Sequence, residues 1–180
     1  MTLYRDVLGK EFDKLDAPVQ RLHSLQGGHR LTGTCTIIGA ERRIGRCLSA
    51  LLGLPLPAQA GPFTFEIDAN DGHETWIRHF PRRSMRSRLY QLAISRLGEQ
   101  IGPARLTFRL ENRDGELHLH LQHIRVFGVP WPTRWLPRIW AVERGEDTRF
   151  HFDVGADLGR FGLLVAYAGH LELPTPEANA

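Results

Sequence analysis

Apolar and polar residues alternate most clearly over residues 115–137, GELHLHLQHIRVFGVPWPTRWLP. The leucines at odd positions from 117 to 121 fall on one face of a strand, because successive side chains of a strand point to opposite faces. At Ile124 and Val126 the apolar residues move to even positions, which predicts a β-bulge near Gln122–His123. The prolines that follow cannot donate ladder hydrogen bonds. We therefore expect a long bent strand that ends in a stiff aromatic loop.

The same periodicity divides the rest of the chain into a helical first third and a β-rich remainder. Apolar residues recur at helical spacing over residues 3–15, 16–26 and 42–54. Alternating runs separated by turn signals predict strands over residues 30–38, 63–68, 76–80, 104–111, 141–144, 150–154 and 161–173. Residues 84–97 fit either a helix or a strand, and their position between two hairpins favours a strand.

These elements predict a single globular domain of the α+β class over residues 1–173, followed by a disordered tail at 174–180. Its main part is a strongly curved antiparallel sheet, either a half-barrel or barrel-like, of about seven to nine strands. Two or three helices, mostly N-terminal, accompany the sheet, and the helix over 42–54 is expected to fill or cap its concave side. Curved sheets of this kind often enclose an apolar ligand cavity.

Composition and charge place the chain among ordinary globular domains. Of its 180 residues, 42% are hydrophobic and 24% are charged, and the net charge of +3 permits an anionic partner without requiring one. Cys35 and Cys47 form no metal or redox motif, so a reducing compartment is the simplest interpretation. The first residues include acids, unlike a secretory signal, and no apolar run reaches the ~20 residues of a membrane span. We expect a soluble cytoplasmic protein.

Several local patterns, taken in order, resemble one protein family. They are LYRDVLGKEFDKL, CLSALLGLP, WIRHFPRRSMRSRL, GELHLHLQHIRVFGVPWP and RFHFDVGADLGRFGLLVAYAGHLE. Together they are similar to an uncharacterised bacterial family, catalogued as the domain of unknown function 4166, over about residues 3–173. The resemblance implies a domain that occurs alone or after a saccharopine-dehydrogenase-like domain, and it assigns no catalytic residue. The chain itself has no G-x-G-x-x-G following a strand, so it lacks the dinucleotide-binding fingerprint.

The histidines of the strand predicted within residues 115–137 are the first candidates for a functional site, here a metal site. His118 and His120 project from one face, close enough to share a zinc-sized ion, and a bulge would turn His123 toward them. No carboxylate adjoins them in sequence, so we favour a solvated polar face. We predict neither a bound metal nor a cofactor.

An arginine-rich stretch is the second candidate. It comprises Arg78, Arg82, Arg83, Arg86, Arg88 and Arg96, with Trp76, Phe80 and Tyr90 among them. Arginine forks suit phosphate or carboxylate, and aromatic faces suit bases. However, the chain contains no known nucleic-acid motif, and we predict no nucleic-acid partner. The alternatives are a charged outer face of a hairpin, or inward Arg78 and Arg88 that bind the acidic head of a ligand.

Acid–base chemistry has weaker support in the sequence. His151 and Asp153 lie on one strand face, yet no nucleophile is positioned beside them, and the serines at 84, 87 and 95 lack an elbow motif. The glutamates at 66, 74, 111 and 143 are scattered, so no carboxylate pair can be placed. A hydrolase triad is therefore disfavoured.

Three functions of different classes remain open. The favoured one is a binding domain for a small apolar or lipid-like ligand, with or without an acidic head. Its ligand-binding residues would be Trp76, Arg78, Arg88, Trp131, Trp135 and Tyr167. The second is an enzyme or enzyme accessory that acts on a small hydrophobic substrate, with His118 or His151 as the acid or base. The third is a non-catalytic interaction module whose contact is the loop over residues 129–140, with Trp131, Trp135 and Trp140.

Overall fold

The alternating segments form the ten strands of a closed antiparallel β-barrel in a computed structural model. The model describes residues 2–174 apart from positions 41, 52, 56–57, 71, 133, 135 and 160–161. The barrel strands are β1 (Gly27–Gly39), β2 (Ala58–Asn70), β3 (His73–Phe80), β4 (Arg83–Ala93), β5 (Arg96–Ile101), β6 (Ala104–Arg113), β7 (Glu116–Val126), β9 (Arg138–Glu146), β10 (Arg149–Asp157) and β11 (Leu163–Glu172). A two-residue strand, β8 (Val129–Pro130), pairs with the end of β7.

The barrel is closed by its first and last strands, which pair from Thr32↔Glu172 to Gly39↔Val165. The prediction of a curved antiparallel sheet is confirmed in its barrel-like form, whereas the half-barrel alternative is wrong and the count of about seven to nine strands is too low. The error has a physical cause: the alternation within a strand reports which face is buried, and not which distant strand becomes its neighbour. Closure gives each of the ten barrel strands a paired neighbour on both sides within the described residues.

Two local predictions about strands are confirmed by the register. In the β6–β7 pair, Thr107 faces His123 while Phe108 faces Leu121, so Gln122 is the extra residue of the expected bulge. Residues 84–97 form β4, a turn and the start of β5, and not a helix. Ser95 supports that turn with a φ of 56°.

The N-terminal segment covers one end of the barrel, which we call the closed end. It consists of α1 (Leu3–Leu8), a 3-10 turn (Gly9–Lys14) and α2 (Ala17–Leu22), so the segment predicted as one helix over 3–15 changes its winding at Gly9. Backbone bonds fasten it to the hairpin turns at this end, Ser95 N to Val7 O at 2.7 Å and Asp16 N to Gly115 O at 2.9 Å. The apolar faces of both helices are buried against the barrel interior.

The opposite end of the barrel carries α3 (Arg43–Leu51), and we call it the α3 end. The helix packs beside the start of β11, where the Ser49 hydroxyl donates to the Leu164 carbonyl at 3.0 Å. The described ranges thus contain three short α-helices, two of them N-terminal, which agrees with the prediction of two or three mostly N-terminal helices. No helix in the described ranges combines the length and the apolar character needed to cross a membrane. The predicted tail lies outside these ranges from residue 175 onward.

Candidate functional site

Inside the barrel is a cavity of about 210 Å³. It is lined mainly by aliphatic and aromatic side chains that point inward from the strands, including Met85, Leu89, Leu106, Phe108, Leu119, Ile124, Ala141, Val154 and Val165. Toward the α3 end, its lining comes from the loop residues Leu54, Trp131, Pro137 and Leu158. The cavity therefore runs from the middle of the barrel toward the α3 end.

A cluster of buried polar side chains lies between this cavity and the helices of the closed end. We call it the polar floor; it comprises Tyr4, His23, Glu74, Arg78, Glu99 and Glu143, all of which are buried. Tyr4 and His23 come from the N-terminal helices, and the others point inward from β3, β5 and β9. Tyr4, Arg78, Glu99 and Glu143 line the cavity directly.

The positive charge of Arg78 is compensated within the protein. Arg78 as a whole is only 9% exposed, and its guanidinium donates to the Ser87 hydroxyl at 2.9 Å and lies 3.6 Å from a Glu99 carboxylate oxygen. The guanidinium carbon also stacks 4.8 Å from the ring centroid of Trp76. A buried charge requires such partners, because transfer out of water costs several kcal/mol per ion.

A second buried pair joins a helix to a strand. His23 Nε2 lies 2.6 Å from Glu143 Oε2, and the ring of Tyr4 stacks on the His23 imidazole at 3.6 Å between centroids. Beside them, Trp76 Nε1 donates to Glu74 Oε2 at 2.8 Å. Because Glu143 also lines the cavity, the pair links the closed end to the cavity.

Three buried polar atoms of the floor have no hydrogen-bond partner among the described residues. They are Tyr4 Oη, His23 Nδ1 and Glu74 Oε1. Burial and the nearby carboxylates of Glu143, Glu74 and Glu99 raise the pKa of Tyr4 well above its usual value of 10.0. Tyr4 therefore keeps a neutral hydroxyl, which can both donate and accept, in a residue that also lines the apolar cavity.

Burial also favours the neutral forms of two neighbouring groups. It raises the pKa of Tyr167 to about 12 and raises the pKa of the Glu74 carboxyl, although His23 and the Trp76 hydrogen bond oppose the latter shift. Tyr167 is therefore a neutral phenol in the cavity wall. The floor as a whole contains one compensated arginine together with more acidic than basic side chains.

The structure brings four of the six predicted ligand-binding residues to the cavity. Trp76, Arg78, Trp131 and Tyr167 all line it. Arg88 does not: it is exposed on the outer face of β4, because its position is out of phase with the buried Met85, Ser87 and Leu89. Trp135 falls outside the described residues.

The polar floor also contains residues that sequence reasoning missed, namely Tyr4, His23, Glu74, Glu99 and Glu143. For Glu74 a signal was present, since it shares the period-two face of Trp76 and Arg78 on β3. His23 likewise continues the apolar stripe of α2 one turn after Val19. Glu74 and Glu143, which the sequence did not allow us to place as a pair, both interact with His23 from strands far apart in sequence.

The histidines considered for metal binding or acid–base chemistry lie on the outer face of the barrel. His118 and His120 are on the outer face of β7, each within 3.1 Å of one carboxylate, from Glu116 and Glu111 respectively. His151 is likewise on the outer face of β10, where partial burial lowers its pKa. Within the described ranges, no three His, Cys, Asp or Glu side chains are placed to hold a metal ion.

The fold and its interior define a class, that of closed antiparallel β-barrels with an apolar cavity above a buried polar floor. The chain belongs to the family described as domain of unknown function (DUF4166), whose model matches residues 15–171. Comparison with curated proteins gave no match, and comparison with solved structures gave none either.

Proposed function

We propose that this protein binds a small apolar ligand inside the barrel, with the polar end of the ligand on the Tyr4 hydroxyl. The observation that carries the proposal is a cavity with hydrocarbon walls and a buried hydroxyl that has no partner among the described residues. An unpaired buried polar group costs about 1–3 kcal/mol, so a ligand atom that pairs with it gains affinity.

The cavity volume limits the size of the ligand. A cavity of about 150 Å³ accommodates benzene, so about 210 Å³ suits a ligand of about eight to ten non-hydrogen atoms. A longer chain would extend past Leu54 and Trp131 toward the α3 end.

The charges of the floor favour a neutral polar head over the acidic head that the sequence left open. Arg78 is the group that would hold an anion, and Glu99 lies 3.6 Å from it. Glu143 lines the same cavity and would repel a carboxylate. A hydroxyl or carbonyl head avoids this repulsion and still bonds with Tyr4.

Three ligands with the same eight-carbon chain and different head groups test whether the protein binds an apolar ligand and whether it prefers a neutral head. The shift in melting temperature is measured with 1-octanol, octanoate and octylamine, because a ligand that binds only the folded state stabilises it by mass action. We expect 1-octanol to raise the melting temperature most and octanoate least. If none of the three shifts the melting temperature, the proposal is overturned. A larger shift with octanoate than with 1-octanol would instead support a ligand with an acidic head.

Two substitutions on β9 locate the binding. Ala141 lines the cavity, whereas the adjacent Val142 faces outward. Ala141→Phe should abolish the octanol shift by filling the cavity, and Val142→Phe should retain it. Equal shifts in the two variants would place the octanol elsewhere.

A second candidate function is acid–base catalysis on an apolar substrate. It is favoured by the His23–Glu143 pair, which replaces His118 and His151 as the candidate because the pair reaches the cavity. Native mass spectrometry of wild-type protein and Glu143→Gln, both purified from cells, tests it. Catalysis predicts a different bound mass in the variant, since unconverted substrate accumulates; an identical bound mass argues against an enzyme.

A further inference from the structure

The α3 end of the barrel combines one sign of charge with exposed apolar side chains. We propose that this end docks on the surface of an anionic lipid bilayer. The proposal goes beyond ligand binding, and it concerns the outside of the molecule, so it can fail or succeed independently of what occupies the cavity.

The charge at this end is strongly positive. Exposed arginines come from α3, from the β3–β4 turn and from the ends of three strands, β6, β7 and β9: Arg43, Arg46, Arg82, Arg105, Arg125 and Arg138. In the described part of this end the acidic counterpart is Asp157, whose carboxylate accepts a hydrogen bond from Gly159 N at 2.6 Å. Each Arg near an anionic membrane contributes about 1 kcal/mol to binding, so the cluster suits such a surface.

The apolar component is the tip of the β7–β8 hairpin. Phe127 and Gly128 have φ angles of 50° and 81°, the backbone of a tight two-residue turn. This turn leaves Phe127 73% exposed and Val129 67% exposed, next to Arg125. Aromatic and aliphatic side chains flanked by arginine are typical of protein segments that lie in the membrane interface.

The hairpin connects this surface to the cavity. Two residues after Val129, Trp131 donates its backbone N–H to the Ile124 carbonyl at 2.9 Å and lines the cavity. The exposed tip and the cavity wall therefore belong to one short segment. A bilayer at this end would meet the cavity where its lining comes from loops.

Charge distinguishes this end from the closed end, where apolar exposure also occurs. Ile94 is 80% exposed in the β4–β5 turn, but the helices beside it carry acidic and basic residues in similar numbers, among them Asp6, Glu11 and Lys10. A bilayer is favoured over a nucleic acid because burial among acyl chains stabilises the apolar side chains of Phe127 and Val129. A phosphate backbone provides no apolar surface for an aliphatic side chain.

Two matched charge reversals test the proposal. Arg105 and Arg125 face each other across β6 and β7 at the α3 end, and Arg96 and Arg109 face each other across β5 and β6 nearer the closed end. The measurement is the fraction of protein that sediments together with phosphatidylcholine vesicles, which either contain or lack phosphatidylglycerol. We expect the wild type to bind the anionic vesicles, Arg105→Glu/Arg125→Glu to lose at least about tenfold in affinity, and Arg96→Glu/Arg109→Glu to bind like the wild type.

A second pair of variants tests the apolar tip. Phe127→Ser should weaken vesicle binding several-fold, and Ile94→Ser should leave it unchanged, since both remove one exposed apolar side chain. The melting temperature of each variant confirms that it is folded. Absence of wild-type binding to phosphatidylglycerol vesicles, equal losses in the two reversal variants, or tighter binding to a DNA oligonucleotide than to the vesicles would each overturn the proposal.

Discussion

The side chains of His23 and Glu143 illustrate how the interior depends on single residues. They meet at 2.6 Å although one belongs to the N-terminal segment and the other to β9. Both are buried, so neither can exchange its partner for bulk water. Removal of one member leaves the other buried and unpaired, which costs more than the pair itself contributes.

His23→Phe should therefore destabilise the protein by about 3 kcal/mol, because the ring stack on Tyr4 is kept while Glu143 loses its partner. Adding Glu143→Leu should recover most of this loss. Urea unfolding of the wild type, the single variants and the double variant gives the coupling free energy. A loss well under 1 kcal/mol for His23→Phe would contradict the buried pairing.

The buried Glu74 carboxyl should make stability depend on pH. Burial raises its pKa in the folded state above the usual 4.5, so the folded protein holds this proton more tightly than the unfolded chain. The resulting stabilisation is complete below pH 4.5 and is lost as the pH rises through the folded-state pKa. As the pH rises through that range, the free energy of unfolding should fall less for Glu74→Gln than for the wild type. Urea unfolding at successive pH values measures both. Parallel curves would show that Glu74 is not responsible.

Residue positions on one strand were predictable, whereas contacts between distant segments were not. Alternation on β3 correctly placed Trp76 and Arg78 inside, since the period of two is a local property. The same period was misapplied to Arg88, whose strand β4 turns its odd-numbered residues inward. His23 could not be paired with Glu143 without knowing which strands the helix covers.

At the scale of elements, the seam between β1 and β11 depends on close backbone approach. A Cβ atom on Gly169 would overlap the carbonyl oxygen of Thr34 on the neighbouring strand, and a Cβ on Gly33 would overlap that of His170. Glycine at these positions lets the two strands pack without displacement. The seam therefore has no room for a side chain at these two positions.

Gly169→Ala should destabilise the barrel by about 3 kcal/mol, because the added methyl group must displace backbone atoms. Gly28→Ala is the matched control: Gly28 lies on β1, and a Cβ there would meet nothing within 4 Å. Thermal and urea unfolding of both variants provide the comparison. Similar stability of the two would show that the seam accommodates a side chain.

Most elements of the fold could be predicted, and the closure could not. The bulge near Gln122 and the strand over 84–97 follow from phase changes and turn residues that are local in sequence. Pairing of β1 with β11 is set by sheet curvature and by the seam glycines, which no local period reports. The curved antiparallel sheet was therefore predicted correctly, whereas the choice between a half-barrel and a barrel stayed open and the number of strands was too low.

At the scale of the whole molecule, Cys35 reports whether the barrel is open. It is buried on β1 opposite Gly169, and burial raises its pKa to about 11 from the usual 9.0. That shift lowers the thiolate fraction at neutral pH about a hundredfold. Cys47, in contrast, is exposed on α3.

In a Cys47→Ser background, Cys35 should react with a thiol reagent such as DTNB only through opening of the barrel. The rate should be slow in this background and faster after Gly169→Ala, in proportion to the lost stability. The absorbance of the released thiolate gives both rates. Rapid reaction of Cys35 under stabilising conditions would mean that the seam opens without global unfolding.

The pairing of the first strand with the last also has a consequence for synthesis on the ribosome. β1 emerges early, yet β11, its partner at the seam, is translated only after nine other strands have appeared. Until then the nascent chain exposes the free side of β1, which other polypeptides can pair with. We expect newly made chains to need shielding by a chaperone until β11 leaves the exit tunnel.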